Sequence, residues 1–447
     1  MDRLISLRLS AACVLILILA PYVAAQPPST FRPIEGPTLQ ARMEAAITQA
    51  RAISPPTRFW VAYGFDVRPG LAVDVEVVNT NGTISSFSGM NIMMNTGSSF
   101  ETRNLGVFLL NEPKTDVPVR VEVYNLDRRH TYSGYPVYWL GHARSEESLA
   151  LLKRLVEPNQ ANSSIERATM AIALHDEAQQ ARVLLEQIAR TSDLDRARTT
   201  AISWLGQVGG ASPFLTDLAR REDESLAVRR RAVSAIGASR DLAALSTLQA
   251  LYGAVSNREI KRHILDTIAN NEYQDTAVNF LLTVARDDPD RDARLQAING
   301  LGQKGGEAVL DELIAIFKKE QDVDIQKGVI SALGQIGSPR AQERLVDIAR
   351  TDDNSKLRRR AMRQIARRND AQSITTLSQL YDTEQDEEVQ GEILDILGET
   401  QSKHAIKKLM AVAQSSASIK VRKKAMFWLG KSNDLDAVTF LERLLKE

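Results

Sequence analysis

Apolar positions recur with a fixed period along the C-terminal two thirds of the chain. The clearest copy is AVRRRAVSAIGASRD, Ala227 to Asp241, in which Ile236 precedes a glycine. We take as the anchor of each copy the apolar residue before the glycine or its substitute. Successive anchors are 31 to 33 residues apart, at Leu140, Ile172, Leu205, Ile236, Ile268, Leu301, Leu333, Ile365, Leu397 and Leu429. A constant period of this size is typical of a solenoid of stacked repeats.

Each copy is predicted to be a helical hairpin. Apolar residues occur eight, four and three positions before an anchor, as Val228, Ala232 and Val233 do before Ile236, and this spacing makes one stripe on an α-helix. The glycine after the anchor is predicted to end this first helix in a left-handed conformation. A second apolar helix follows, as in Ala308 to Glu320. One hairpin cannot bury its stripe alone, so the hairpins must stack.

These segments resemble the HEAT-repeat family, in particular its bacterial phycobilin-lyase-like form. The resemblance is carried by AVRRRAVSAIG and by KVRKKAMFWLG, Lys420 to Gly430, and it extends from about Trp139 to the last residue. It implies a mostly α protein whose solenoid holds other proteins on a curved surface. It also implies that the helix carrying the motif lines the concave side.

The first 25 residues read as a secretory signal. Arg3 and Arg8 precede the apolar run Cys13 to Ala20, which is shorter than a typical membrane span, and small residues lie before Gln26. Cleavage there would remove Cys13, the only cysteine, and would leave no stable membrane span. We therefore expect an exported bacterial protein, in the periplasm or outside the cell.

The segment before the repeats has a different character. Residues 26–57 are predicted to be a linker with a short helix from Leu39 to Ile53. Residues 58–138 alternate apolar and polar positions and are rich in valine and aromatics, which predicts a small antiparallel sheet or sandwich of five to seven strands. Residues 139–447 are then the solenoid of about nine to ten hairpins. We expect the β-domain to cap its first repeat, because terminal repeats need their apolar end covered.

Charge and motifs exclude several functions. The chain has 56 basic and 56 acidic residues, and this balance argues against general nucleic-acid binding. Deoxyhypusine hydroxylases, which are HEAT-like, bind iron through His-Glu pairs, and the five histidines here form no such pair. Nucleophile elbows, P-loops and dinucleotide-binding glycine motifs are also missing from the sequence. We expect a protein that is not an enzyme and has neither metal nor cofactor.

Basic residues form a ladder five to seven positions before the anchors, and it has two interpretations. In one, the residue seven positions before the anchor pairs with acidic loops and links the layers. In the other, the ladder is a stripe that meets an acidic partner and accelerates association. The candidate partner-binding residues are Arg229, Arg230, Lys261, Arg262, Arg358, Arg359 and Lys423.

The function predicted from the sequence is an exported, non-catalytic scaffold that binds a protein or peptide along the solenoid groove. One alternative is an enzyme or small-ligand carrier with its site in the β-domain, around Met90 to Thr102. The other is a structural part of the cell envelope. The sequence leaves open the identity of the partner, the oligomeric state and the role of the β-domain.

Overall fold

The fold is known from a computed structural model. It describes residues 31–68, 71–74, 91–94, 104–127, 130–156, 162–209, 212–239, 243–270, 274–368 and 370–444. The predicted signal, residues 1–25, lies outside this set. Contacts divide the chain into two compact units, Met1–Leu184 and Leu185–Glu447. The predicted fold class is confirmed, with helical repeats and a small N-terminal sheet.

The first unit contains the strands. They are β1 (Arg32–Pro33), β2 (Phe59–Phe65), β3 (Leu71–Asp74), β4 (Asn91–Met94), β5 (Leu105–Asn111), β6 (Arg120–Asn125) and β7 (Val137–His142). Five of them form one sheet in the order β1-β7-β2-β5-β6, and β3 pairs with β4 in a separate ladder. The β2/β5 and β5/β6 pairs are antiparallel, whereas β7 runs parallel to β1 and β2. The sheet is therefore mixed, because β7 enters beside β2 instead of forming a hairpin with β6.

The segment around Leu140 is a strand and does not contain a repeat turn. Leu140 and Gly141 lie in β7, which crosses the expected boundary between residues 138 and 139. Leu140 matches the anchor pattern only because a buried strand residue followed by glycine has the same local sequence. The first anchor that lies in a helix is Ile172.

Helices make up most of the chain. They are α1 (Leu39–Arg51), α2 (Ser145–Leu155), α3 (Asn162–Leu174), α4 (Ala178–Thr191), α5 (Asp195–Val208), α6 (Ser212–Arg220), α7 (Leu226–Ala238), α8 (Ala244–Ala254), α9 (Arg258–Ala269), α10 (Gln274–Asp287), α11 (Arg291–Lys304), α12 (Leu310–Lys319), α13 (Val323–Ile336), α14 (Pro339–Thr351), α15 (Ser355–Ala366), α16 (Ala371–Thr383), α17 (Glu387–Thr400), α18 (Lys403–Ser415), α19 (Ile419–Lys431) and α20 (Leu435–Leu444). From α3 onward they form nine hairpins in the described residues.

The two faces of the five-stranded sheet have different neighbours. At the edge of the sheet, buried Glu122 of β6 pairs with Arg167 of α3. On one face, the Tyr63 hydroxyl is hydrogen-bonded to Ser148 of α2. This face covers the start of the helical array within the first unit. The other face carries an aromatic cluster that includes Trp60, Phe108 and Trp139. Strand alternation assigns neighbouring residues to opposite faces.

In its described residues, the second unit is a stack of eight hairpins, α5 to α20. In each hairpin the first helix buries its anchor stripe, as α7 does with Val228, Ala232, Val233 and Ile236. The first helices pack closely on one another, α5 on α7 and so on to α17 on α19, and the second helices pack less closely.

The glycines after the anchors have a different role from the predicted one. Gly302 and Gly334 lie inside α11 and α13, and their φ angles are not positive. They allow the next layer to approach, since a Cβ on Gly302 would lie 2.6 Å from the Cα of Ala332. The prediction of a left-handed helix end was wrong, because the limit on these positions is set by the neighbouring helix and not by the local backbone.

Candidate functional site

The side of the first helices opposite the anchor stripe is the candidate interaction surface. Residues nine, six, five and two positions before an anchor lie on this side, because each position turns the helix by about 100°. On α7 it presents the exposed side chains of Arg230 and Arg231, and on α9 that of Arg262. The surroundings of each basic residue in the ladder therefore depend on its position relative to the anchor.

The residue seven positions before the anchor is structural. Arg229 is only 3% exposed, and its Nε donates a hydrogen bond to the carbonyl oxygen of Ala219 at 3.0 Å. Arg358 donates in the same way to Asp352 O at 3.0 Å. Residues at the equivalent position in other repeats bind carbonyls at or just after the end of the preceding second helix: Arg198, Arg294, Gln326 and Gln390. These side chains satisfy carbonyls that a helix end leaves unpaired.

Lys261 occupies the same position in its repeat but makes a different contact. Its Nζ lies 4.9 Å from the centroid of the Tyr252 ring, and its side chain is half-buried. An ammonium over an aromatic face is a favourable arrangement. Arg229, Lys261 and Arg358 are thus engaged within the stack, and we leave them out of the interaction surface.

A second ladder links the residue two positions before one anchor to the residue five positions before the next. Ser234 Oγ lies 2.7 Å from Nε2 of His263, and Lys424 Nζ lies 2.7 Å from Oδ2 of Asp395. Two more pairs follow the same register, Gln296 with Asp266 and Arg360 with Ser331. Some cations at these positions, such as Arg360 and Lys424, are therefore bound to a side chain of the preceding layer.

The remaining candidates lie six positions before their anchors and differ in how far they are neutralised. Arg359 forms an ion pair with Glu392 of the next first helix. Arg230, Arg262 and Lys423 are exposed, and none of them has an ion pair or hydrogen bond from its side chain to any described residue. Arg231, one position further along α7, is also exposed and also has no side-chain ion pair or hydrogen bond to a described residue.

The pKa of His263 is affected by the charges of the arginines on α7. The pKa of its imidazole is lowered by partial burial first and then by the positive charges of Arg230 and Arg231. Asp266 acts in the opposite direction, but that carboxylate also accepts a hydrogen bond from Gln296. Arg230, Arg231 and His263 are therefore close in space, and the surface of α7 and α9 is locally cationic although the whole chain is neutral.

Several aromatic side chains outside this surface take part in packing. Trp428 is half-buried against Gly398, Trp139 belongs to the aromatic cluster of the sheet, and His175 is fully buried. Of the alternative ligand site around Met90 to Thr102, only the backbone of Asn91–Met94 is described and the rest lies outside the described residues. Within the described part of the chain, no three His, Cys, Asp or Glu side chains are grouped so that they could hold a metal ion.

The described helices were also compared with the length of a membrane span. None of them has a stretch that is both long and apolar enough to cross a bilayer.

Sequence reasoning missed Phe427 as a surface residue. It lies two positions before the anchor Leu429 and is 54% exposed, whereas the equivalent residues Ser234 and Asp395 are polar and bound to the next layer. An alignment of the repeats on their anchors shows this aromatic residue at a polar position. This difference in the aligned repeats could have predicted from the sequence that Phe427 is exposed.

Comparison with known families agrees with the stacking just described. The family model for HEAT repeats matches residues 278–366 and 343–418. Residues 278–418 of the helical array are HEAT repeats. The matched residues extend from α10 to α18, and the layer contacts in that range recur in the rest of the helical array, down to α5 and up to α19.

Several solved structures are similar to this chain at low identity. Human deoxyhypusine hydroxylase in complex with glycerol is 15% identical, with 64% of this chain and 96% of that one covered and a TM-score of 0.25. The CpcE and CpcF complex of phycocyanin lyase from Nostoc is 19% identical, with 56% and 94% covered and a TM-score of 0.26.

Yeast importin-beta is 12% identical, and the match covers 67% of this chain and 48% of importin-beta at a TM-score of 0.37. No curated protein matches the chain. The structural scores are too low to transfer a function.

Proposed function

We propose that this protein is an exported, non-catalytic scaffold whose HEAT array binds an acidic protein or peptide along the first helices. The observation that carries the proposal is the group of Arg230, Arg231 and Arg262. These three guanidinium groups are exposed on adjacent layers and have no carboxylate partner among the described residues.

The contrast with the rest of the ladder supports this assignment. Arg359, Lys424 and Arg198 each have an acidic partner within the stack, so these cations are neutralised where they take part in packing. Cations left without a partner on a locally positive surface attract an acidic ligand and accelerate its association.

The position of these residues in the fold supports the same conclusion. They lie on first helices, which pack more closely on one another than the second helices do. In a curved stack the closely spaced helices line the inner side. A peptide lying there would contact several layers at once, and weak contacts on one rigid surface add to a useful affinity.

The test is direct binding of a labelled peptide of alternating glutamate and alanine to the protein lacking residues 1–25. The test variant carries Arg230→Glu, Arg231→Glu and Arg262→Glu. The control carries Lys318→Glu, Lys319→Glu and Arg350→Glu, three exposed cations on second helices, and so has the same net charge. The proposal requires that only the first variant loses affinity, by about tenfold or more.

A crosslinked pull-down from cell-envelope extract then identifies the natural partner with the same pair of variants. A partner kept by the control and lost from the test variant supports the scaffold. If both variants lost the partner equally, net charge alone would explain the loss of binding. The alternative of a ligand carrier with its site in the β-domain would then be favoured. Cell fractionation tests the export part of the proposal.

A further inference from the structure

The hairpin of α19 and α20 has an open side where every earlier layer of the second unit is covered. Five glycines that follow an anchor contact the next first helix: Gly206, Gly237, Gly302, Gly334 and Gly398. A Cβ built on Gly430, at the same position of α19, meets no atom within 4 Å. No described helix therefore lies on the side of α19 that corresponds to the surface receiving the next helix in the earlier layers.

Exposed apolar side chains are concentrated on the same hairpin. Seven large apolar residues of the described chain are exposed, and four of them lie here: Ile419, Phe427, Leu435 and Val438, at 61%, 54%, 81% and 44%. Single exposed apolar residues are ordinary on a protein surface, but several on one face indicate an interaction site.

Phe427 replaces the hydrogen-bonding residue found at this position in earlier repeats, so this side of α19 favours an apolar contact. In four earlier repeats the residue at its position is polar and is hydrogen-bonded to a polar side chain of the next layer, as Asp395 is to Lys424. A phenyl ring cannot make that bond. It is stabilised instead by an apolar side chain packed against it.

The charges of the neighbouring helices indicate which charge a helix bound to the open side of α19 would carry. α15 and α19 each carry five basic and no acidic residues, and α17 between them carries five acidic and no basic residues. The acidic helix is held from both sides by ion pairs: Arg359–Glu392, Arg363–Glu399, Lys420–Glu388 and Lys424–Asp395.

The open side of α19 presents the same kind of charge as the side that binds α17. Lys423 is exposed and has no ion pair with any residue that the structure describes, and Lys431 Nζ lies 4.8 Å from the Phe427 ring centroid. A second copy of α19 placed against this side would bring together two helices of five basic residues each, which repel one another.

We propose that the open side of α19 and α20 binds an acidic amphipathic helix of a partner protein. Its apolar stripe covers Phe427, Leu435 and Val438, a small residue lies over Gly430, and its carboxylates face Lys423 and Lys431. This site is distinct from the arginine surface on α7 and α9 and does not depend on it.

The probe is a fluorescent, side-chain-stapled peptide with the sequence of α17, residues 387–400, since the stack already shows that sequence bound to α19. Stapling is needed because a free helix of this length is marginal in water. The full chain should bind it saturably. Phe427→Asp with Leu435→Asp, and separately Lys423→Glu with Lys431→Glu, should each weaken binding about tenfold or more.

Controls separate this site from general stickiness, from misfolding and from the arginine surface. Val183→Asp changes an exposed valine of the first unit, and Arg230→Glu with Arg231→Glu and Arg262→Glu changes the other surface. At about 500 mM salt, where purely electrostatic binding is screened, both variants should bind the peptide as the wild type does. Circular dichroism should be equal in all variants, because the altered residues are exposed.

Three outcomes would overturn the proposal. One is binding unchanged in both α19–α20 variants. Another is equal binding of a peptide in which the five acidic residues are replaced by lysine. The third is a concentration-dependent dimer in sedimentation that the Phe427→Asp and Leu435→Asp variant abolishes, since the occupant would then be a second copy of the chain.

Discussion

The indole Nε1 of Trp428 donates a hydrogen bond to Oδ1 of Asp395 at 2.9 Å, so a side chain of one repeat is fixed to the helix of the repeat before it. The same ring lies flat on Gly398, where any side chain would collide with it. These two contacts show how adjacent repeats are held together. Gly398 allows the next helix to pack closely, and a hydrogen bond between side chains lies beside it.

This relationship predicts opposite effects for one substitution at two equivalent glycines. Gly398→Ala places a methyl group into the Trp428 ring and should destabilise the protein by about 1–3 kcal/mol. Gly430→Ala meets open space and should be neutral or stabilising by up to about 1 kcal/mol, because alanine favours helix. Urea unfolding followed at 222 nm compares them. Similar effects at both positions would contradict the account of the glycines.

Two adjacent arginines should differ sharply in their effect on stability. Arg229→Met removes a buried hydrogen bond to Ala219 and should cost about 1.5–3 kcal/mol. Arg230→Met changes an exposed side chain without a partner and should stay within about 0.5 kcal/mol of the wild type. Thermal unfolding of the two variants measures the difference. An equal loss would mean that Arg230 is also part of the packing.

Acid should weaken the first unit through His175. This residue is fully buried, with Nδ1–H donating to Ala171 O at 2.7 Å and Nε2 at 2.9 Å from Ser148 Oγ. Burial lowers the pKa of His175 from 6.5 to about 4. The fold favours the neutral ring, so its contribution is complete above pH 6.5 and is lost as the pH falls toward 4.

The expected loss over that range is about 3 kcal/mol in the free energy of unfolding, since one pKa unit corresponds to about 1.4 kcal/mol. Urea unfolding at several pH values between 8 and 4 measures it. His175→Gln, which cannot titrate there, should show a shallower dependence on pH. Identical slopes for wild type and variant would assign the acid sensitivity to other groups.

Salt should separate the arginine surface from the site on α19 and α20. Binding of the acidic peptide at Arg230, Arg231 and Arg262 is mainly electrostatic, so its affinity should fall steeply from about 50 to about 500 mM salt. Binding of the stapled α17 helix, which also buries apolar surface, should fall less. Anisotropy titrations at each salt concentration compare them, and parallel slopes would argue that both peptides bind through charge alone.

The adjacent residues Arg229 and Arg230 show how far sequence alone could locate the site. The repeat pattern correctly predicts that both lie on a first helix and near the start of its stripe. The sequence cannot tell which arginine reaches a carbonyl of the preceding helix, because that depends on how closely α6 and α7 pack at Ala219, ten positions before Arg229. The glycines were misread for the same reason, since the atoms that exclude a side chain belong to the next repeat.

The amino-acid sequence alone specifies the local and periodic part of the structure. The period of 32 residues, the helical stripes and the change to strands before residue 138 follow from side-chain spacing, which each segment carries independently of the others. The tertiary structure decided the rest: that Leu140 lies in a strand, that cations such as Arg229 and Lys424 are consumed between layers, and that Arg230, Arg262 and Phe427 remain exposed. These outcomes depend on which residues of separate repeats are brought within a few ångströms, and only the packed stack sets those distances.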